Sequence, residues 1–189
     1  KNPDNYPEID RWNHIQTIMK RAIQAGNVEL TVTGKENIPD KDGLLLVANH
    51  QGLFDVVALV TAWDRILCAV YKMELKDTPL VKQIAASTKS YAMDREDVRQ
   101  RLTVIQGCTQ QLMQGRNVLI FPEGTRSKNG NTMGEFHGGS FRAAMKAKCP
   151  IVPLCFIDCF KVLDQKGSKP VTVQMHYLKP IPYEEYKDL

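Results

Sequence analysis

A chain of 189 residues, 43% hydrophobic and 24% charged, carries enough apolar side chain for one buried core and has the composition of a soluble globular protein. Its 25 basic and 21 acidic residues leave a net charge of +4. That leans towards an anionic partner or surface, and the lack of any Lys/Arg tract argues against nucleic-acid binding. The longest apolar runs are of strand or short-helix size, below the ~18–20 residues that span a bilayer, and the start does not read as a signal peptide. Five cysteines, an odd number without a Cys-x-x-Cys pair, argue against a disulfide framework or a zinc site and for a reducing, cytoplasmic setting.

Taken in order, Ile9, Trp12, Ile15, Met19 and Ile23 recur at helical spacing, so residues 1–25 contain an amphipathic helix closed by Gly26. Two roles fit it. It either covers the core, or it lies on a membrane surface with Trp12 at headgroup level and its bases towards anionic lipid. Val28, Leu30 and Val32 alternate with Glu29, Thr31 and Thr33 as in a half-buried strand, and residues 34–43 read as a turn region. The apolar run Leu44–Val47 then stops at the polar trio Asn49–His50–Gln51 and, after Gly52, passes into an apolar helix over 56–63. A buried strand that ends in a tight turn and feeds a helix has this pattern.

Residues 66–71 suit a buried strand, 80–86 a short helix and 90–93 a short strand. Asp94 is placed to cap a long helix from Arg95 to Gln114, with Val98, Leu102, Ile105 and Leu112 as its apolar stripe and Gly115 as its stop. Val118–Phe121 form another buried strand, breaking at Pro122 into a loop with five glycines up to Gly139. Ser140 is placed to cap a helix through Lys148, and 151–157 and 171–177 read as the last strands. Pro153 confines its strand to an edge or a bend. Strands alternating with helices give a single α/β domain over 1–189, with a mixed, mostly parallel sheet flanked by helices.

Two loops that follow buried strands carry candidate chemistry. His50 and Asp55 stand five apart, roughly 140° off a shared face of an ideal helix. They meet only if a turn separates them, and Gly52 makes that turn feasible. Asp55 then holds the imidazole Nδ1–H and leaves Nε2 as a base. The bland alternative, a capping aspartate beside an ordinary turn histidine, stays open. A backbone N–H at the start of the following helix offers a donor for an oxyanion. The second loop is Phe121–Pro122–Glu123–Gly124–Thr125–Arg126–Ser127, where Arg126 suits a phosphate and an internal Arg–Glu pair is the alternative. Asp94–Arg95 follow a third strand. No Gly-x-Ser-x-Gly elbow, Walker motif, Gly-x-Gly-x-x-Gly or paired metal-ligand spacing is present.

In order, Asn49-His50-x-x-x-x-Asp55, Asp94–Arg95, Phe121–Ser127 and Pro150–Ile151–Val152–Pro153 resemble the four blocks of the glycerolipid acyltransferase family, which includes 1-acylglycerol-3-phosphate acyltransferases. The resemblance implies the glycerol-3-phosphate acyltransferase-like fold and base-assisted acyl transfer. His50 would take the proton of a lipid hydroxyl, with Asp55 orienting it. Arg95, Glu123, Gly124, Thr125 and Arg126 would shape the acceptor site. The donor would be acyl-CoA or acyl carrier protein, with no cofactor and no metal. The acceptor would be lysophosphatidic acid, and the enzyme would sit peripherally at the cytoplasmic face of the membrane against its phospholipid surface. Another lysophospholipid or glycerol 3-phosphate as acceptor, a thioester hydrolase and a non-catalytic lipid-binding module remain as alternatives.

Overall fold

The computed structural model describes residues 3–163 and 170–189; Lys1 and Asn2, at the head of the expected N-terminal helix, lie outside it. In chain order the elements are α1 (Glu8–Ala25), β1 (Val28–Thr33), β2 (Leu45–Ala48), α2 (Phe54–Ala62), β3 (Leu67–Lys72), α3 (Val81–Thr88) and β4 (Tyr91–Met93). There follow α4 (Val98–Met113), β5 (Asn117–Ile120), α5 (Arg142–Ala147), β6 (Ile151–Ile157), α6 (Phe160–Leu163), β7 (Val171–Tyr177) and α7 (Tyr183–Tyr186). Among the described residues, seven strands form one sheet in the order β1-β7-β6-β2-β5-β3-β4. Only β6 and β7 run antiparallel; the other pairs are parallel. This is the mixed, mostly parallel α/β architecture that the alternation of strands and helices implies.

The centre of the sheet explains the continuous apolar run. Leu44, Leu46 and Ala48 face a core shared with α1 and α2, while Leu45 and Val47 face a second core with α4, α5 and α7. A strand buried on both faces has no polar side, and β2 is fully buried. The chain places β5, β3 and β4 on one side of β2 and β6, β7 and β1 on the other. The crevice outside the carboxyl ends of such central strands is where open α/β sheets take ligands.

Of the two roles open to the N-terminal helix, the structure selects core cover. Trp12 is only 2% exposed and, with Ile15, Met19 and Ile23, belongs to the α2-side core. The reason lies in α2, whose sequence Phe54–Ala62 is apolar on nearly every side and needs a partner on its outer face. Gln16 completes the joint by donating to the carbonyls of Val60 (3.1 Å) and Trp63 (2.7 Å) at the end of α2. Trp12 is therefore not a headgroup anchor. No described helix is long and apolar enough to cross a membrane.

Three local expectations are corrected. Asp94 does not cap the long helix: α4 starts at Val98, and Asp97 accepts the N–H groups of Arg99 (2.9 Å) and Gln100 (3.0 Å). Asp94 instead accepts the Glu96 N–H (2.9 Å), a tight turn that leaves Arg95 in a loop. The buried stripe of α4 is Val104, Cys108 and Leu112, whereas Val98 and Leu102 are more than half exposed. At 100° per residue those two lie about 120° and 160° round from Val104, on another face. Ser140 falls within a 3₁₀ turn, and α5 begins without a side-chain cap. Pro153 sits at a bend, as its ring requires. The pairings Leu154↔Tyr177 and Ile151↔Ile181 on either side of it are offset by one residue, so the chain opposite bulges where the proline lacks an N–H.

Glu8, in the first turn of α1, bonds to Arg116 between α4 and β5, and Arg116 also donates to the Thr88 carbonyl (3.2 Å). Burial pushes the Glu8 carboxyl up, but the hydrogen bond and charge of Arg116, with Lys89 and Arg11, outweigh it and hold it below its ordinary value. Trp12→Ala is expected to cost about 3–5 kcal/mol in urea denaturation, because it opens a large cavity between α1 and the core. Glu8→Gln should be less stable than the parent at neutral pH. A carboxyl lowered on folding contributes fully above its unfolded value and loses that contribution as pH falls through the folded one. The stability gap should therefore narrow below about pH 4.5; a gap independent of pH would contradict the ion pair.

Candidate active site

Where β2 ends, side chains take over its pairing. Asn49 is buried and continues the ladder to β6, donating Nδ2 to the Phe156 carbonyl (3.0 Å) and accepting the Phe156 N–H on Oδ1 (2.7 Å). The main chain is then free to turn. The His50 N–H donates to Glu123 Oε1 (2.7 Å), and its carbonyl accepts the Ser127 N–H (2.7 Å). The His50 backbone is thus gripped on both sides by the loop after β5.

The imidazole is held as firmly. Its Nδ1 lies 2.7 Å from Asp55 Oδ2, and its ring stacks on Phe121 with centroids 4.1 Å apart. A carboxylate only accepts, so Nδ1 carries the proton and Nε2 has the free lone pair. Asp55 Oδ2 also accepts the N–H groups of Gln51 (2.6 Å) and Gly52 (3.0 Å). The turn between the two residues is therefore wound around one oxygen of a carboxylate that is 0% exposed. Gly52 does not adopt a positive φ, so it serves here through its N–H and not through backbone freedom. The amides of Gln51 and Gly52 are committed to Asp55, so a donor for an oxyanion would have to come from elsewhere at the start of α2.

The loop after β5 divides by role. Glu123 is 4% exposed, and its second oxygen accepts the Gly134 N–H (2.7 Å). With each oxygen accepting a backbone amide, Glu123 braces the His50 turn against the loop after β5. Gly124 has φ +70°, and a Cβ there would stand 3.2 Å from the Arg95 guanidinium carbon. The absent side chain lets Arg95 pack across the loop. Thr125 and Arg126 are exposed between Gly124 and Ser127. His50, Asp55, Glu123, Gly124 and Arg95 thus form one connected group, with Thr125 and Arg126 on its exposed rim.

Reading the sequence alone missed the parts played by Asn49, Gln51, Phe121, Ser127 and Asn131. The available signal was the trio Asn49–His50–Gln51 at the end of a buried strand, since polar side chains there must find partners inside. All five cysteines are free, and burial pushes the thiols up: Cys149 to about 11, Cys68 to about 12, and Cys155, Cys108 and Cys159 in the same direction, Cys159 also through the neighbouring Asp55 charge. None has the character of a thiolate nucleophile. Among the described residues no three His, Cys, Asp or Glu side chains are grouped to hold a metal ion.

A family model described as Acyltransferase matches residues 29–157. The chain is 31% identical over 169 residues to a probable 1-acyl-sn-glycerol-3-phosphate acyltransferase of Mycoplasma pneumoniae, covering 87% of this chain and 62% of that protein. It is 31% identical over 147 residues to the 1-acyl-sn-glycerol-3-phosphate acyltransferase of Helicobacter pylori, covering 78% and 61%. The crystal structure of the 1-acyl-sn-glycerophosphate (LPA) acyltransferase PlsC from Thermotoga maritima has the same fold, with a TM-score of 0.77 at 22% identity over 93% of this chain and 70% of that one. The chain spans about six-tenths of the length of these curated relatives.

Replacing Glu123 by Ala would leave the His50 and Gly134 amides without their acceptor. Each stranded group costs about 1–3 kcal/mol, so Glu123→Ala should lower unfolding stability by at least that much. A denaturation midpoint equal to the parent's would show that the brace contributes nothing.

Proposed function

The chain belongs to the acyltransferase family, and on that premise we propose that it transfers an acyl chain from acyl-CoA or acyl carrier protein to the free hydroxyl of lysophosphatidic acid, giving phosphatidic acid. The observation that carries the chemistry is the 2.7 Å bond between His50 Nδ1 and the buried Asp55, at the carboxyl end of the central strand. It orients the imidazole and leaves Nε2 as the nitrogen placed to accept a proton. The names of the relatives support the choice of acceptor.

In this reading Nε2 takes the proton of the lipid hydroxyl as its oxygen attacks the thioester carbonyl carbon. The tetrahedral intermediate collapses with cleavage of the C–S bond, and the imidazolium returns its proton to the departing thiolate. Asp55 stabilises the imidazolium in between. A thiolate is a good leaving group, so one base and two oriented substrates suffice, with no covalent enzyme intermediate and no further cofactor. Arg126, directly before the Ser127 amide that holds the His50 carbonyl, and Arg95, packed on Gly124, bind the acceptor phosphate. Thr125 adds a hydroxyl to the same rim. The acceptor is itself a membrane lipid, which supports peripheral work at the cytoplasmic membrane face; five free cysteines and the net charge of +4 agree with that setting.

His50→Ala should lower turnover about 10²–10⁴-fold with the circular dichroism spectrum intact; parent-like turnover would remove His50 from the mechanism. Arg126→Ala should raise the acceptor KM about tenfold or more with little change in the thioester KM, as expected for loss of a charged hydrogen bond. Equal changes in both would take the phosphate away from Arg126. A panel of lysolipids and glycerol 3-phosphate, each with both thioester donors, tests the acceptor. Free fatty acid formed at one rate with or without acceptor would point to a hydrolase.

A further inference from the structure

The loop that bears Thr125 and Arg126 is tied, beyond Ser127, through the side chain of Asn131. Asn131 Oδ1 accepts Nε2 of Gln51 (2.7 Å) and the N–H of Asp158 (2.9 Å), and its Nδ2 donates to Asp158 Oδ1 (2.9 Å). Gln51, only 2% exposed and next to His50, accepts the Cys159 N–H on its own Oε1 (2.9 Å). Three segments that end different strands therefore meet at one amide: the turn after β2, the loop after β5 and the corner after β6. Gly130, at φ +61°, lies on the Phe160 ring, where a Cβ would come within 3.2 Å. The loop is thus seated on residues 158–160 by apolar contact as well.

Asp158 shows that this corner is built for the contact. It is a non-glycine residue at φ +67°, a conformation that stores strain and persists only where surrounding bonds impose it. Burial raises its carboxyl, but hydrogen bonds from Lys161 (2.8 Å) and Asn131 outweigh this and keep it ionised as an acceptor. Closer to the centre, His50 is held by Asp55 and Glu123 without help from Asn131. Freeing Asn131 would therefore loosen the rim more than the base.

We propose that Asn131 is a positioning residue for the acceptor: with Gln51 and Asp158 it forms a clasp that sets the phosphate-binding rim, Thr125 and Arg126, at its working distance from His50. This rests on the acyl-transfer reading above. Among variants of the full chain, Asn131→Ala should raise the KM for lysophosphatidic acid about 5- to 30-fold, because the three hydrogen bonds that hold the rim are lost. The KM for a long-chain acyl-CoA should change less than about twofold. Hydrogen exchange of the amides over 127–134 should quicken. Asp158→Asn keeps both the acceptor and the tolerance of positive φ, and should behave as the parent. Asp158→Gly relieves the strain but removes the acceptor, and should follow Asn131→Ala; it carries the test if Asn131→Ala does not fold. An unchanged acceptor KM, or an equal rise for both substrates, would overturn the clasp. A parent inactive on every lysolipid would sink the acyl-transfer reading alone, and the exchange measurement would still decide: faster exchange upholds the clasp and unchanged exchange refutes it.

Discussion

One oxygen, Asp55 Oδ2, receives the His50 imidazole and the amides of Gln51 and Gly52, and the centre of the molecule depends on it. A carboxylate with no exposure is costly unless its charge is met inside the protein. Here it is met by the turn that begins α2 and by the positive end of that helix. The same bonds end β2, start α2 and fix the tautomer of His50. A loss of the carboxylate would therefore disturb the local chain path as well as the base.

The surrounding braces follow from burial. Because β2 is covered on both faces, the groups just past its end have little water available and must bond to protein. Asn49 extends the pairing to β6, Glu123 takes the His50 amide, and Gln51 ties the turn to Asn131 and Cys159. These side chains touch no reacting atom in the proposed chemistry. Their effect is to hold the His50 imidazole and the exposed Thr125–Arg126 segment in a fixed relation, which is the condition the proposed chemistry requires of oriented groups. The glycines of the loop after β5 serve the same end: Gly124 makes room for Arg95, Gly130 for Phe160 and Gly134 for Glu123.

Readings that rested on local rules succeeded where a single segment contained all the relevant forces. The β2 run, the Gly115 stop and the alternation in β1 are of that kind. They failed where two segments competed or met. Two aspartates precede α4, and only the fold, with the Gln100 side chain bonded back to Ala92 and Asp94, decides that Asp97 caps it. Trp12 on an amphipathic helix reads first as core and second as a membrane anchor, and the apolar neighbour α2 decides for the core. The brace role of Glu123 is hidden in the sequence because nothing there announces the two amides, 73 residues before it and 11 after it, that its oxygens accept.

The sequence by itself determined the alternating strands and helices, the buried central strand and the order of His50, Asp55, Arg95 and the Phe121–Ser127 loop. Each of these is written in local periodicity and residue type. Tertiary structure alone decided whether His50 and Asp55 meet, since their spacing is wrong for a helix and right for a turn, and the turn is set by amides converging on a buried carboxylate. It also decided that Glu123 braces and that Gln51, Asn131 and Asp158 join. Those bonds link residues 27 to 108 positions apart, and no short-range pattern in a chain encodes the partner of a polar group that distant.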